Sequence, residues 1–289
     1  MSTWTPLSPS RLHRLPMAVA FGATDIGPVR SSNEDNFLID ESLGLAMVAD
    51  GMGGHAAGEV ASAGVLEALR DYLREPGAQL DNTRPNVAQY EGEAERDGLL
   101  PPDPDATWSD PAMPAVRLLH DAIEFANQTL YAQNRAGDCP DGGGMGTTLT
   151  GFWHPSSGQP LIFFHVGDSR LYRQRGGLLE QLTRDQTMYQ QALEAGIVEN
   201  LPARNLLLQA VGPSPQVTPE VRSVQVQAGD VLMLCSDGLH GSVPHGEIEA
   251  QLSRVTADTL EAACARLIGL AKEYGGRDNI TLLLAMCQG

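Results

Sequence analysis

The sequence predicts an α+β fold in which antiparallel sheet is covered by helices. Two observations carry this. Strand candidates arrive in adjacent pairs, with few helices placed to make a parallel crossover. The strand candidates are short apolar runs bounded by Gly, Asp and Asn, the residues that turns between antiparallel strands require. A chain of 289 residues, 42% of them apolar, is long enough to bury the core such layers need.

Taken in order, residues 1–16 carry Arg11 and Arg14 with no apolar stretch behind them, and read as a flexible leader rather than a signal peptide. Residues 17–23, 37–39 and 45–49 read as strands. A helix follows over about 58–74, with Val65, Leu69, Tyr72 and Leu73 near one face. Between residues 75 and 114 the composition changes to seven prolines, nine acidic residues and two arginines. That stretch cannot bury much surface, so residues 75–113 are expected to be an acidic, proline-rich surface insertion.

A helix over about 114–134 resumes the pattern, with Val116, Leu119, Ile123 and Leu130 helically spaced and a proline suited to its first turn. Strands are predicted at 147–153, 161–166, 170–173, 222–226, 231–235 and 280–286. Helices are predicted near 188–195, 245–254 and 259–274. No repeat is visible, and residues 17–287 read as one domain.

The formal charge of −17, from 36 acidic and 19 basic residues, argues against a nucleic-acid partner, which requires a positive face. No run of 18 apolar residues occurs, so no transmembrane helix is expected. Cys139, Cys235, Cys264 and Cys287 are widely spaced with no C-x-x-C pair, as expected for thiols in a reducing cytoplasm.

Four acidic residues share a local pattern. Asp50, Asp168 and Asp237 each stand where an apolar strand ends, and Asp278 stands where the last one begins. If that last strand is antiparallel to its neighbours, all four lie along one edge. The hairpin over residues 34–50 also brings Glu34 or Asp35 beside Asp50. Carboxylates about 5 Å apart repel by roughly 3 kcal/mol per pair at an effective dielectric near 20. Protons or hard divalent cations must offset this, and all-oxygen ligands select Mg²⁺ or Mn²⁺. Gly51 beside Asp50 could present its carbonyl unobstructed.

Six motifs in order carry a resemblance: Arg30-Ser-Ser-Asn33-Glu34-Asp35, Val48-Ala-Asp50-Gly51-Met52-Gly53-Gly54-His55, Gly146-Thr-Thr148, Val166-Gly-Asp168-Ser-Arg170, Ser236-Asp237-Gly238 and Gly276-Arg-Asp278-Asn279-Ile-Thr281. The chain resembles the bacterial form of the PPM family, the type-2C metal-dependent serine/threonine protein phosphatases, from about residue 18 to 286. The resemblance implies a four-layer α-β-β-α sandwich of two antiparallel sheets flanked by helices. It implies a dinuclear Mn²⁺ or Mg²⁺ centre that activates water, with Asp50, Asp237 and Asp278 on one metal. Asp50, the Gly51 carbonyl and Glu34 would serve the second, and Asp168 with Asp237 a third, weaker site. Arg30 matches the residue that grips the substrate phosphate. Phosphorylated proteins would be the substrates, in opposition to a Ser/Thr kinase, and the enzyme would be a cytoplasmic monomer.

Two departures stand out. A histidine that some members place two residues after the metal-binding Asp is Met52 here, and His55 lies off that position, so the leaving-group acid is unassigned. The flap expected over residues 185–215 opens with Gln186 where a histidine is common. Three other readings compete. Gly51-x-Gly53-x-x-Ala56 with Asp71 mimics a dinucleotide fingerprint, but Asp50 would repel a pyrophosphate. The others are a non-catalytic member that binds phosphoproteins or metals without turnover, and another metal phosphoesterase acting on nucleotides or small phosphates.

Overall fold

The computed structural model describes residues 5–53, 56–75, 112–156 and 159–288. The acidic insertion therefore lies outside the described residues except for its two ends, as does His55.

Twelve strands among the described residues form two sheets. The first has the order β1 (Leu12–Leu15), β2 (Ala18–Asp25), β12 (Ile280–Cys287), β11 (Val231–Cys235), β8 (Arg170–Arg175), β9 (Leu178–Gln181). The second has the order β10 (Glu220–Val224), β7 (Leu161–Val166), β6 (Leu149–Trp153), β4 (Leu45–Met52), β3 (Asp35–Asp40), with β5 (Gly146–Thr147) beside β4. Every pairing is antiparallel.

The strands are apolar on both faces because both faces are covered. Phe37, Val48, Phe152, Leu234 and Leu283 fill the space between the sheets. Leu45, Met47, Leu149 and Phe164 point the other way, against α1 (Ala56–Arg74) and α2 (Met113–Ala136). On the outside of the first sheet, Met233, Leu282 and Leu284 pack on α5 (His245–Leu252) and α6 (Leu260–Glu273). The order of layers is thus helix, sheet, sheet, helix, as the resemblance implies. Shorter helices are α3 (Met188–Glu194) and α4 (Asp237–His240). Among the described residues, no helix is long and apolar enough to cross a membrane.

One expectation is corrected. Residues 5–16 are not a loose leader. The Leu7 amide donates to Asn36 Oδ1 at 2.9 Å, and Ser8 Oγ accepts from the Ile39 amide at 2.8 Å. β1 then adds an edge strand to β2, with His13 and Leu15 buried and Leu12 and Arg14 outside. Alternation of buried and exposed side chains is what an edge strand with one wet face shows.

Two further strands differ from expectation. β9 was not anticipated, because its buried residue is Leu179 alone, with Leu178 exposed. The strand expected over 147–153 is split at Thr148, which serves the site instead.

Candidate metal centre

The two sheets end together, and the acidic residues gather at that end. Asp50 and Asp168 come from the second sheet, after the apolar parts of β4 and β7; Asp237 and Asp278 come from the first, after β11 and before β12. The expectation of a single sheet edge is therefore corrected to one end of a sandwich, with carboxylates contributed from both sides. Antiparallel pairing sets the register. Asp35 is the cross-strand partner of Asp50, and Cys235 pairs with Leu282.

Backbone contacts fix each residue in place. The Asp50 amide donates to Thr148 Oγ1 at 2.9 Å, and the Thr148 amide donates to the Asp50 carbonyl at 2.9 Å. Thr148 Oγ1 also shares a hydrogen with Ser169 Oγ at 2.8 Å, tying the Asp50 strand to the Asp168 loop. From the other sheet, His240 donates through Nε2 to the Asp168 carbonyl at 2.9 Å. A carbonyl only accepts, so Nε2 carries the hydrogen; burial keeps His240 neutral, its pKa pushed down to about 3. Asn279 binds the 26–34 loop. Its Nδ2 donates to the carbonyls of Ile26 and Ser32, both at 2.9 Å, and its Oδ1 accepts from the Glu34 amide at 2.8 Å.

Gly51 is required by close approach. A Cβ there would stand 2.1 Å from the Gly58 carbonyl oxygen and 2.6 Å from that of Glu34, both backbone atoms that cannot step aside. Gly51→Ala should therefore lower stability by roughly 1–3 kcal/mol or more, read by denaturant unfolding. An unchanged midpoint would contradict this contact. The Glu34 carboxyl lies against α1, where a Cβ on Gly58 would meet its Oε2 at 2.2 Å.

The electrostatics reflect crowding of like charge. Burial, followed by the charges of Asp35, Asp237, Asp168 and Asp278, raises Asp50 well above the ordinary carboxylate range. Burial and then Asp278 lift Asp237 to about 6. Burial and then Asp237 lift Asp168 to about 7. Arg30 donates through Nη2 to Asp278 Oδ2 at 2.6 Å. The expected phosphate-gripping residue thus stands at the acidic end, half-exposed, and paired with Asp278, an expected metal ligand.

These residues fit a divalent cation by chemistry. The donor set is all oxygen, and Asp237 Oδ1 is buried without a hydrogen-bond partner. Among the described residues, no three acidic, histidine or cysteine side chains already stand as a closed ligand cage.

Asp35, which the sequence left as an alternative to Glu34 beside Asp50, is the one that the register places opposite it. It is 1% exposed, accepts from Ser236 Oγ at 2.7 Å across the two sheets, and is lifted to about 7 by burial and then by Asp237 and Asp278. The available signal was its position directly opposite Asp50 with its side chain on the inward face. The dinucleotide reading fails here, because β4 lies between antiparallel neighbours and not in a parallel sheet.

Comparison with known proteins agrees with this geometry. The family model described as "Protein phosphatase 2C" matches residues 29–273. The serine/threonine phosphatase stp of Listeria monocytogenes is 34% identical over 90% of this chain and 92% of its own length. The crystal structure of the Mycobacterium tuberculosis serine/threonine phosphatase PstP/Ppp superposes with a TM-score of 0.72 at 31% identity, covering 94% of this chain and 100% of that one. A structure of the PstP catalytic domain in complex with two manganese ions gives 0.70 at 32% identity, over 94% of this chain and 99% of that one. The chain belongs to the protein phosphatase 2C family of serine/threonine protein phosphatases.

Proposed function

We propose that this protein hydrolyses phosphoserine and phosphothreonine in proteins, using two divalent cations, Mn²⁺ or Mg²⁺, at the shared end of its sheets. The observation that carries this reading is the set of carboxyls raised by burial and then by one another's charge, delivered from both sheets to one place. Asp50, Asp237 and Asp278 would hold one cation; Asp50, the Gly51 carbonyl and Glu34 the other; Asp168 with Asp237 would hold a third more weakly. When bound, the cations supply a hydroxide-like nucleophile at neutral pH and offset phosphoryl charge.

The chain's own residues do the positioning. Thr148 holds Asp50 by its backbone, Asn279 holds the loop bearing Arg30 and Glu34, and Asp35 with Ser236 locks the two sheets together. Arg30 would turn from Asp278 to the substrate phosphate, which its planar fork suits. The flap of residues 185–215 borders the Asp168 loop and would shape access. The setting would be the cytoplasm, the protein a monomer, and the biological role opposition to a Ser/Thr kinase, with no nucleic-acid or membrane partner. The relatives' names as serine/threonine phosphatases support the substrate class.

Steady-state hydrolysis of a chromogenic phosphate ester with Mn²⁺ tests the role of Arg30. Arg30→Ala should raise KM about tenfold, the loss of one charge-assisted contact, with a smaller change in kcat. An unchanged KM would remove Arg30 from phosphate binding.

A further inference from the structure

The structure gives Gln186, where the family resemblance leads one to expect a histidine, bonds through its amide, its carbonyl and its side-chain oxygen. Its backbone amide donates to the Gly167 carbonyl at 2.8 Å, and its side-chain Oε1 accepts from the Gly167 amide at 2.9 Å. Both polar groups of Gly167, the residue before Asp168, are therefore held by Gln186. The same Oε1 accepts a second bond, from Gln209 Nε2 at 3.0 Å, which fills its two lone pairs. Gln209 is itself fixed: Nε2 donates to the Thr218 carbonyl at 2.7 Å, and Oε1 accepts from the Thr218 amide at 2.9 Å. The Leu208 amide closes the loop by donating to the Gln186 carbonyl at 2.8 Å.

The orientation of both amides follows from these partners. An amide N–H only donates, so Gln186 must turn its oxygen to Gly167, and Gln209 must then turn its nitrogen to Gln186. The result is a continuous line of amides from the far leg of the 185–215 segment, through Gln186, to the peptide that precedes Asp168. Gly167 has φ +105°, a conformation open to glycine, so its own backbone does little to fix this peptide.

We propose that Gln186 and Gln209 are positioning residues whose amide chain fixes the Gly167 peptide and thereby sets how firmly Asp168 holds a divalent cation. This rests on the reading of Asp168 as a cation ligand. Partners behind a ligand commonly alter metal affinity by about 10–100-fold, and here the partner acts through the main chain next to the ligand. Gln209 acts only through Gln186, so its effect should be contained within that of Gln186.

The test is Mn²⁺ binding to the full chain, followed by the electron paramagnetic resonance signal of free Mn²⁺ and independent of turnover. Asp168→Asn in parallel identifies the class of sites that depends on Asp168. Gln186→Met, which keeps length and removes the acceptor, should weaken that class roughly tenfold and leave the remaining sites as in the wild type. Gln209→Met should weaken the same class by a smaller factor. The double variant should be no weaker than Gln186→Met alone.

A wild-type isotherm for Gln186→Met would overturn the proposal, as would equal weakening of every class, fully additive effects, or an Asp168→Asn isotherm identical to wild type. Should Gln186→Met not fold, Gln209→Met still decides, because a wild-type isotherm there breaks the chain of amides. Failure of the phosphatase reading looks different: wild-type protein that binds Mn²⁺ in both classes yet releases no phosphate.

Discussion

Asp237→Asn should reduce Mn²⁺-dependent phosphate ester hydrolysis by roughly 100-fold or more, on the scale of losing a group central to the charge stabilisation, while the protein stays folded. Asp237 follows Ser236, whose hydroxyl bonds Asp35, and it opens α4 at the junction of the two sheets. Its carboxyl interacts with Asp278 and Asp50, where the proposed cations would share it. The substitution keeps shape and removes charge. Since Asp237 is titrated upward to about 6 by burial and then by Asp278, a neutral amide relieves repulsion in the metal-free protein. The variant should therefore unfold at an equal or higher denaturant concentration than wild type near neutral pH without metal. Circular dichroism and urea unfolding, beside the activity assay, check both halves. Full activity would remove Asp237 from the centre; a collapsed fold would mean that its role is structural.

Stability of the metal-stripped protein should fall as pH rises from about 6.5 to 8, by roughly 1–3 kcal/mol. The sign follows from the carboxyls. Asp35 and Asp168 are lifted to about 7 in the folded state from an ordinary value of 3.8, so the folded protein binds more protons than the unfolded chain until pH passes about 7. Stability from these groups is full below about pH 4 and is lost as pH climbs through their folded values.

Two opposing sets of groups act mainly below the chosen window. Burial lowers His165 to about 4 and His240 to about 3, which adds stability mostly below pH 6.5, with a remainder of about 0.4 kcal/mol each above it. Asp185 is held below its ordinary range despite burial, by its two bonds from Arg170, and its contribution is complete well below pH 6.5. Above 6.5 the remaining histidine titration in the unfolded chain offsets part of the loss, and the raised carboxyls, Asp50 among them, set the sign. Mn²⁺ should reverse the trend, because a cation replaces the missing protons, and at a hundredfold excess over its Kd it adds about 2.7 kcal/mol. Urea midpoints with chelator and with Mn²⁺ at several pH values measure this. A flat or rising profile in chelator would contradict the crowded-carboxylate account.

How much of this was legible in the sequence depended on whether the signal was local. Asp50, Asp237 and Asp278 each sit at the end of an apolar strand, and that pattern can be read without a fold. What it could not show is that two sheets contribute. Strand ends look the same whether they belong to one sheet or to two facing ones, so the single edge became the end of a sandwich. Asp35 was masked by its neighbour Glu34. The hairpin indicated that one of them approaches Asp50, and only the register, Asp35 opposite Asp50, distinguishes the inward residue from the one resting on Gly58.

β1 was missed because a four-residue edge strand carrying an arginine has almost no apolar signal, and its stability comes from β2 and from His13 bonding Glu41 at 2.9 Å. Gln186 was noted only as a departure from the family. Its bonds reach Gly167 and Gln209, both distant in sequence, so their existence depends on tertiary placement.

The most direct test is release of inorganic phosphate from a phosphothreonine peptide by protein stripped of metal and then titrated with Mn²⁺. The expected result is no release without cation, a rise that saturates with Mn²⁺, and loss of that rise in Asp237→Asn. Release that persists in excess chelator, or folded wild-type protein that binds Mn²⁺ and leaves the peptide phosphorylated, would contradict the assignment.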